Sequence, residues 1–123
     1  MHLVLIGIGG FAGALTRYAV DGWVTARTAA AFPFGTLAVN LTGSLLIGIL
    51  FAMTVERGVL SAELRGPLMI GFVGAYTTFS TLALESWRLA EDGSLLLATV
   101  NLGGSIVLGV AAVIAGLSIG RAL

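Results

Sequence analysis

The sequence predicts an all-α membrane protein: a single four-helix transmembrane domain over residues 1–123. Three observations carry this. Of the 123 residues, 58% are hydrophobic and only 10% charged, against about 25% charged in a typical soluble domain. Four apolar stretches reach the about 20 residues that a helix needs to cross hydrocarbon. The links between them are short, leaving no room for an expected soluble domain. Six acids balance six arginines, so nothing points to a nucleic-acid partner. The absence of cysteine excludes disulfides and thiolate metal sites.

The first expected span runs from Leu3 to Trp23, uncharged as far as Thr16 and then carrying Arg17 and Asp21. It lacks a basic leader and a convincing cleavage site, so it reads as a span and not a signal peptide. The second runs from Ala29 to Val55 without charge, with Pro33 near its start, where proline is tolerated. The third begins at Pro67, ends at about Trp87 and carries Glu85 near its far end. The fourth covers Ser94 to Gly120, again without charge. Tyr18, Trp23 and Trp87 suit an interfacial aromatic belt.

Loop arginines normally fix orientation. Here Arg57, Arg65 and Arg121 fall on one side and Arg27 and Arg88 on the other, joined by Arg17 if it sits near that end, three against two or three. This near balance predicts dual topology, with copies inserted both ways. Four helices can hardly enclose a pore, which predicts an oligomer. The 18 glycines favour close helix contact, through Gly9 and Gly13, Ser44 and Gly48, and the stripe Asn101, Ser105 and Gly109.

Polar residues at membrane depth need partners or water. Thr36, Asn40 and Ser44 recur every four residues and share a helix face. They serve either as interhelical hydrogen-bonding groups or as the lining of a wet cavity, and the multiple needs of the Asn40 amide favour the cavity. On the third span, Gly74-Ala75-Tyr76-Thr77-Thr78-Phe79-Ser80-Thr81 concentrates hydroxyls, and Thr78, Thr81 and Glu85 form a second stripe. Such density predicts a helix break. A break exposes carbonyls that bind cations and amide ends that favour anions. Phe79 inside this cluster is ordinarily a packing residue; functionally, its positive ring edge suits an anion. Arg17 and Asp21 are spaced to pair on one face. No catalytic set appears. Gly7-Ile8-Gly9-Gly10-Phe11-Ala12-Gly13 superficially matches a dinucleotide loop but lacks the strand and the acid that such a loop requires.

Three segments in order, Gly9-Gly10-Phe11-Ala12-Gly13-Ala14-Leu15-Thr16-Arg17-Tyr18, Gly35-Thr36-Leu37-Ala38-Val39-Asn40-Leu41-Thr42-Gly43-Ser44 and Gly71-Phe72-Val73 with the Gly74–Thr81 run, closely resemble the CrcB/Fluc fluoride channels. The resemblance implies passive fluoride export across the bacterial inner membrane by an antiparallel, dual-topology homodimer whose third helix breaks near mid-membrane. It implies an anion pathway at Asn40, Phe79, Ser80, Thr81 and Ser105, with Glu85 farther along the same helix. It also implies a structural sodium ion at the dimer axis, held by backbone carbonyls of Gly74 and Thr77 from both subunits.

The chain departs from the family pattern at Leu82, where a second pore phenylalanine is expected. This implies either different coordination there or a heterodimer with a non-identical subunit. Two other readings use the same four spans. A small multidrug-type proton-coupled transporter would need a buried titratable acid early in the chain, and Leu3 to Thr16 offers none. A non-transporting assembly subunit would explain the glycines but not the concentrated hydroxyls.

Overall fold

The computed structural model describes residues 1–123 and is entirely helical. Helix α1 covers His2–Arg27 and α2 covers Phe34–Phe51, continuing through a π-helical turn at Ala52–Glu56. The third span opens with a short 3₁₀ turn at Ala62–Leu64, widens into a π-helical stretch at Arg65–Val73 and closes with α3, Gly74–Tyr76. Helix α4, Phe79–Glu91, completes that span, and α5 covers Leu95–Ala122. Four helical segments, 2–27, 34–56, 62–91 and 95–122, are long and apolar enough to cross a bilayer.

The boundaries follow local chemistry. Residues 28–33 stay outside the helix, so the second span starts at Phe34 and not at Ala29 as expected. Pro33 precedes it with φ −80° and ψ 72°, ending the linker. The third span starts five residues before Pro67. Proline gives no N–H and crowds the turn before it; here the surrounding turns are π-wide. Between α4 and α5, Gly93 adopts φ +82°, a conformation that glycine reaches without steric cost. Ser94 N–H then reaches the Leu89 carbonyl at 2.8 Å, closing a Schellman-type cap that turns the chain directly into α5.

Packing follows glycine. A methyl group on Gly9 or Gly13 would overlap the carbonyl of Pro67 or Phe72, so α1 lies backbone to backbone against the third span. Gly48 and Gly116 do the same for α2 and α5. The expected pair Gly9/Gly13 thus marks a real seam, and so does Gly48 of the expected pair Ser44/Gly48, because only a missing Cβ lets the axes come this close.

Arg57, Arg65 and Arg121 gather at one end, as the sequence suggested, while Arg17 lies on a cavity beside Thr78 and not at an end. Arg121 forms a two-bond ion pair with Glu56 at 2.7 and 2.8 Å, Arg57 donates to the Gly120 carbonyl at 3.0 Å, and Arg65 donates to the Thr54 carbonyl at 3.2 Å. These mark one end of the bundle. At the other, Arg27 stacks 4.0 Å over the ring of Trp23. Arg17 and Asp21 do not form the ion pair that their spacing allowed, the Arg121–Glu56 pair being the sole salt bridge. Asp21 instead accepts from Thr25 at 3.3 Å.

Candidate functional site

The third span breaks at Thr77 and Thr78. Helical geometry holds through Tyr76; Thr77 is then extended (φ −81°, ψ 157°), as is Thr78 (φ −149°, ψ 116°). The break therefore sits at the far edge of the Gly74–Thr77 segment, and Gly74 itself stays helical (φ −61°, ψ −38°). Helix α4 restarts immediately because the Thr78 hydroxyl accepts the Thr81 N–H at 3.2 Å, an N-cap that satisfies one orphan donor.

Four contacts seat this break on α2. Asn40 Oδ1 accepts the Thr78 N–H at 2.8 Å. Asn40 Nδ2 donates to the Thr78 carbonyl at 3.0 Å. Below, the Thr36 hydroxyl donates to the Glu85 carboxylate. Above, the hydroxyls of Thr42 and Tyr76 lie 2.8 Å apart. The two predicted stripes thus meet each other, Thr36 with Glu85 and Asn40 with Thr78. Gly43 clears the way: a Cβ there would strike the Thr77 methyl group and the Tyr76 ring.

Two cavities flank the break and share Thr78. One, of about 270 Å³, is lined by Asn40, Ser44, Thr77, Phe79, Leu82 and Ser105 among others. The second, of about 440 Å³, is lined by Arg17, Asp21, Thr36 and Thr81 with Tyr18 and Val39. The structure therefore brings Asn40, Phe79 and Ser105 to one cavity and places Thr81 on the other. Ser80 lines neither cavity; its hydroxyl is exposed and 3.3 Å from that of Thr78. Phe79 is 77% exposed, standing at the outer rim. Leu82 is buried beside the first cavity, at the position where the family pattern has a second ring.

Ser105 is buried and its hydroxyl has no partner within the chain. One turn earlier, buried Asn101 donates to Ser86 at 2.8 Å while its Oδ1 stays unpaired. The Asn101–Ser86 link pins α5 to α4 and escaped sequence reading, which treated Asn101 as part of a small-residue stripe. Its only signal was an amide buried in an otherwise apolar span, a group that must find a partner.

No cluster of three or more His, Cys, Asp or Glu side chains is present. The oxygens near the break are neutral, main-chain carbonyls with the hydroxyls of Thr77 and Thr78 and the Asn40 amide. Neutral carbonyls are suitable ligands for a hard cation. The donor set fits: Thr78 N–H, which a continuous helix would give to the Gly74 carbonyl, goes to Asn40 instead, and Thr77, whose own N–H still bonds the Val73 carbonyl at 3.0 Å, turns its carbonyl out of the ladder at ψ 157°.

These features define a class, a multi-pass all-α membrane protein with a polar break at membrane depth. Residues 4–117 match the family described as CrcB-like protein, Camphor Resistance (CrcB), and the chain belongs to that family. It is 45% identical over 120 residues to a protein of Hahella chejuensis named fluoride-specific ion channel FluC, covering 98% of this chain and 94% of that one. Proteins of the same name from Stutzerimonas stutzeri (47% over 116 residues, 94% of each chain) and Syntrophotalea carbinolica (46% over 119 residues, 97% and 95%) are similarly alike.

Proposed function

We propose that this protein is a fluoride-selective channel that lets fluoride leave the cytoplasm by passive electrodiffusion, in the inner membrane of a bacterial cell. The observation that carries this reading is the near full-length likeness to relatives named as fluoride-specific channels, on a chain whose third span breaks between two cavities that carry polar side chains on largely apolar walls. Fluoride holds its water tightly, so a path must replace that water with close donors. It must do so without binding the ion too strongly to release it. Neutral hydroxyls and amides meet both needs.

In this reading the whole of residues 1–123 is one transmembrane unit. Asn40, Phe79 and Ser105 form the anion path at the first cavity, while Ser80 and Thr81 carry it along the start of α4. The unpaired Ser105 hydroxyl has a donor to give. Phe79 offers its positive ring edge. The Gly74 and Thr77 carbonyls hold a structural sodium ion, completed by the same carbonyls of a second copy. The assembly is an antiparallel homodimer drawn from both orientations, consistent with the near balance of arginines between the two sides, three against two with Arg17 on the cavity beside the break. Leu82 leaves a heterodimer, with a subunit that supplies the missing ring, as the second form of assembly.

The test is efflux from liposomes followed with a fluoride electrode. The expected result is fast fluoride release under a potassium gradient with valinomycin, with chloride release at the level of empty vesicles. Release of neither ion from vesicles that contain folded protein would overturn the reading.

A further inference from the structure

The proposed anion path and the proposed cation site meet at one peptide unit. Thr78 gives its N–H to Asn40 Oδ1 at 2.8 Å and takes Asn40 Nδ2–H on its carbonyl at 3.0 Å. This two-way pairing is what a neighbouring strand gives an extended residue. A single side-chain amide supplies it here, from a residue 38 positions earlier. The pairing diverts the N–H that a continuous helix would send to the Gly74 carbonyl. It also frees the Thr78 hydroxyl to accept the Thr81 N–H and start α4.

We propose that Asn40 is a positioning residue: its amide holds the Thr78 peptide extended, and so keeps the Gly74 carbonyl free of the Thr78 N–H and the Thr77 carbonyl turned out of the helical ladder, both available to the cation. Only a carboxamide has the donor and the acceptor side by side that this requires. One of its two N–H groups is spent on Thr78, which leaves a single N–H for the cavity. The cation half of this proposal rests on the carbonyl site proposed above; the Asn40–Thr78 pairing does not.

The experiment is amide hydrogen exchange at Thr78 in the full chain in bilayers, together with thermal stability titrated with sodium chloride against choline chloride. Thr78 lines both cavities, so water reaches it and exchange reports its hydrogen bond. In the parent, Thr78 N–H exchanges at least about tenfold slower than an open peptide. In Asn40→Ala it speeds up about tenfold, and the sodium concentration giving half of the stabilisation rises by a similar factor. Asn40→Asp keeps one acceptor but sets an oxygen against the Thr78 carbonyl where Nδ2–H donated, so the pairing opens there too and Thr78 exchange again rises about tenfold, whereas exchange equal to the parent overturns the proposal. An Asn40 that only touches the anion would move neither readout. An unprotected Thr78 in the parent, or equal exchange in the parent and Asn40→Ala, overturns the proposal. If Asn40→Ala does not fold, the parent and Asn40→Asp still decide it. If Asn40 protects Thr78 but sodium stabilises nothing in the parent, the carbonyl site falls and the pairing stands.

Discussion

The seam between α1 and the third span and the junction between α2 and α4 solve the same problem by opposite means. Along the seam, Gly9 and Gly13 bring backbone against backbone with no room for a methyl group. At the junction, Asn40, Thr36, Thr78 and Glu85 hold helices together by hydrogen bonds, with cavities of about 270 and 440 Å³ beside them. A seam draws on dispersion, which falls off within a fraction of an ångström. A junction draws on directed bonds, which keep their geometry while leaving open space. Rigidity and openness are thereby assigned to different helix pairs.

The largest effect that sharpens this contrast is Gly13→Leu. Its first carbon would already overlap the Phe72 carbonyl, so the backbones must part. We expect a loss of about 3 kcal/mol or more, read as absence of a monodisperse peak in detergent. Gly7→Ala is the matched control: nothing lies within 4 Å of a Cβ there, so stability should hold or rise by up to about 1 kcal/mol.

Next comes Phe79→Ile. The ring is 77% exposed in the single chain, so the fold should survive with an unchanged unfolding midpoint. Fluoride efflux should fall more than about tenfold if the ring edge contributes about 1.4 kcal/mol to the ion's passage. Efflux at the parent rate would move the path away from this rim. Leu82→Phe probes the same cavity from its buried side and should leave efflux equal to the parent or above it; a collapse of efflux would mean that the leucine is required as it stands.

Thr36→Val removes the donor to Glu85 and leaves a half-buried carboxylate short of a partner. The expected cost is about 1–3 kcal/mol, read by thermal unfolding. Placing Thr36→Val in a Glu85→Ala background should cost less, and a double-mutant cycle with no coupling would show that this contact does not join α2 to α4. The smallest effect belongs to Arg121→Gln. Its pair with Glu56 is exposed at the end of the bundle, and exposed pairs contribute little, so the unfolding midpoint should not move measurably.

The sequence made the spans and both polar stripes readable, because apolar length and four-residue spacing are local properties. Of the five residues that the resemblance grouped as one anion path, the fold gathers Asn40, Phe79 and Ser105 at one cavity and leaves Ser80 and Thr81 off it. What stayed hidden depends on neighbours distant in the chain. The hydroxyl run announced a break but not its residues, since Thr78 is held by an amide on another helix. The π-helical stretch at Arg65–Val73 has no local signature beyond Pro67. The Asn101–Ser86 bond links two helices through residues that look unrelated in sequence. Arg17 and Asp21 show the reverse error: i and i+4 spacing permits a pair but does not require one.

The Asn40–Thr78 pairing also has a consequence for biosynthesis. Residues 38 apart leave the ribosome about 2–8 s apart at ordinary rates of elongation. During that interval the second span carries an amide whose eventual partner has not been made. Until the third span arrives, the Asn40 amide lacks the Thr78 groups that it pairs with in the folded chain. Insertion of the second span is thus provisional until the third docks, and a chain stalled between them should be a preferred target for membrane proteases.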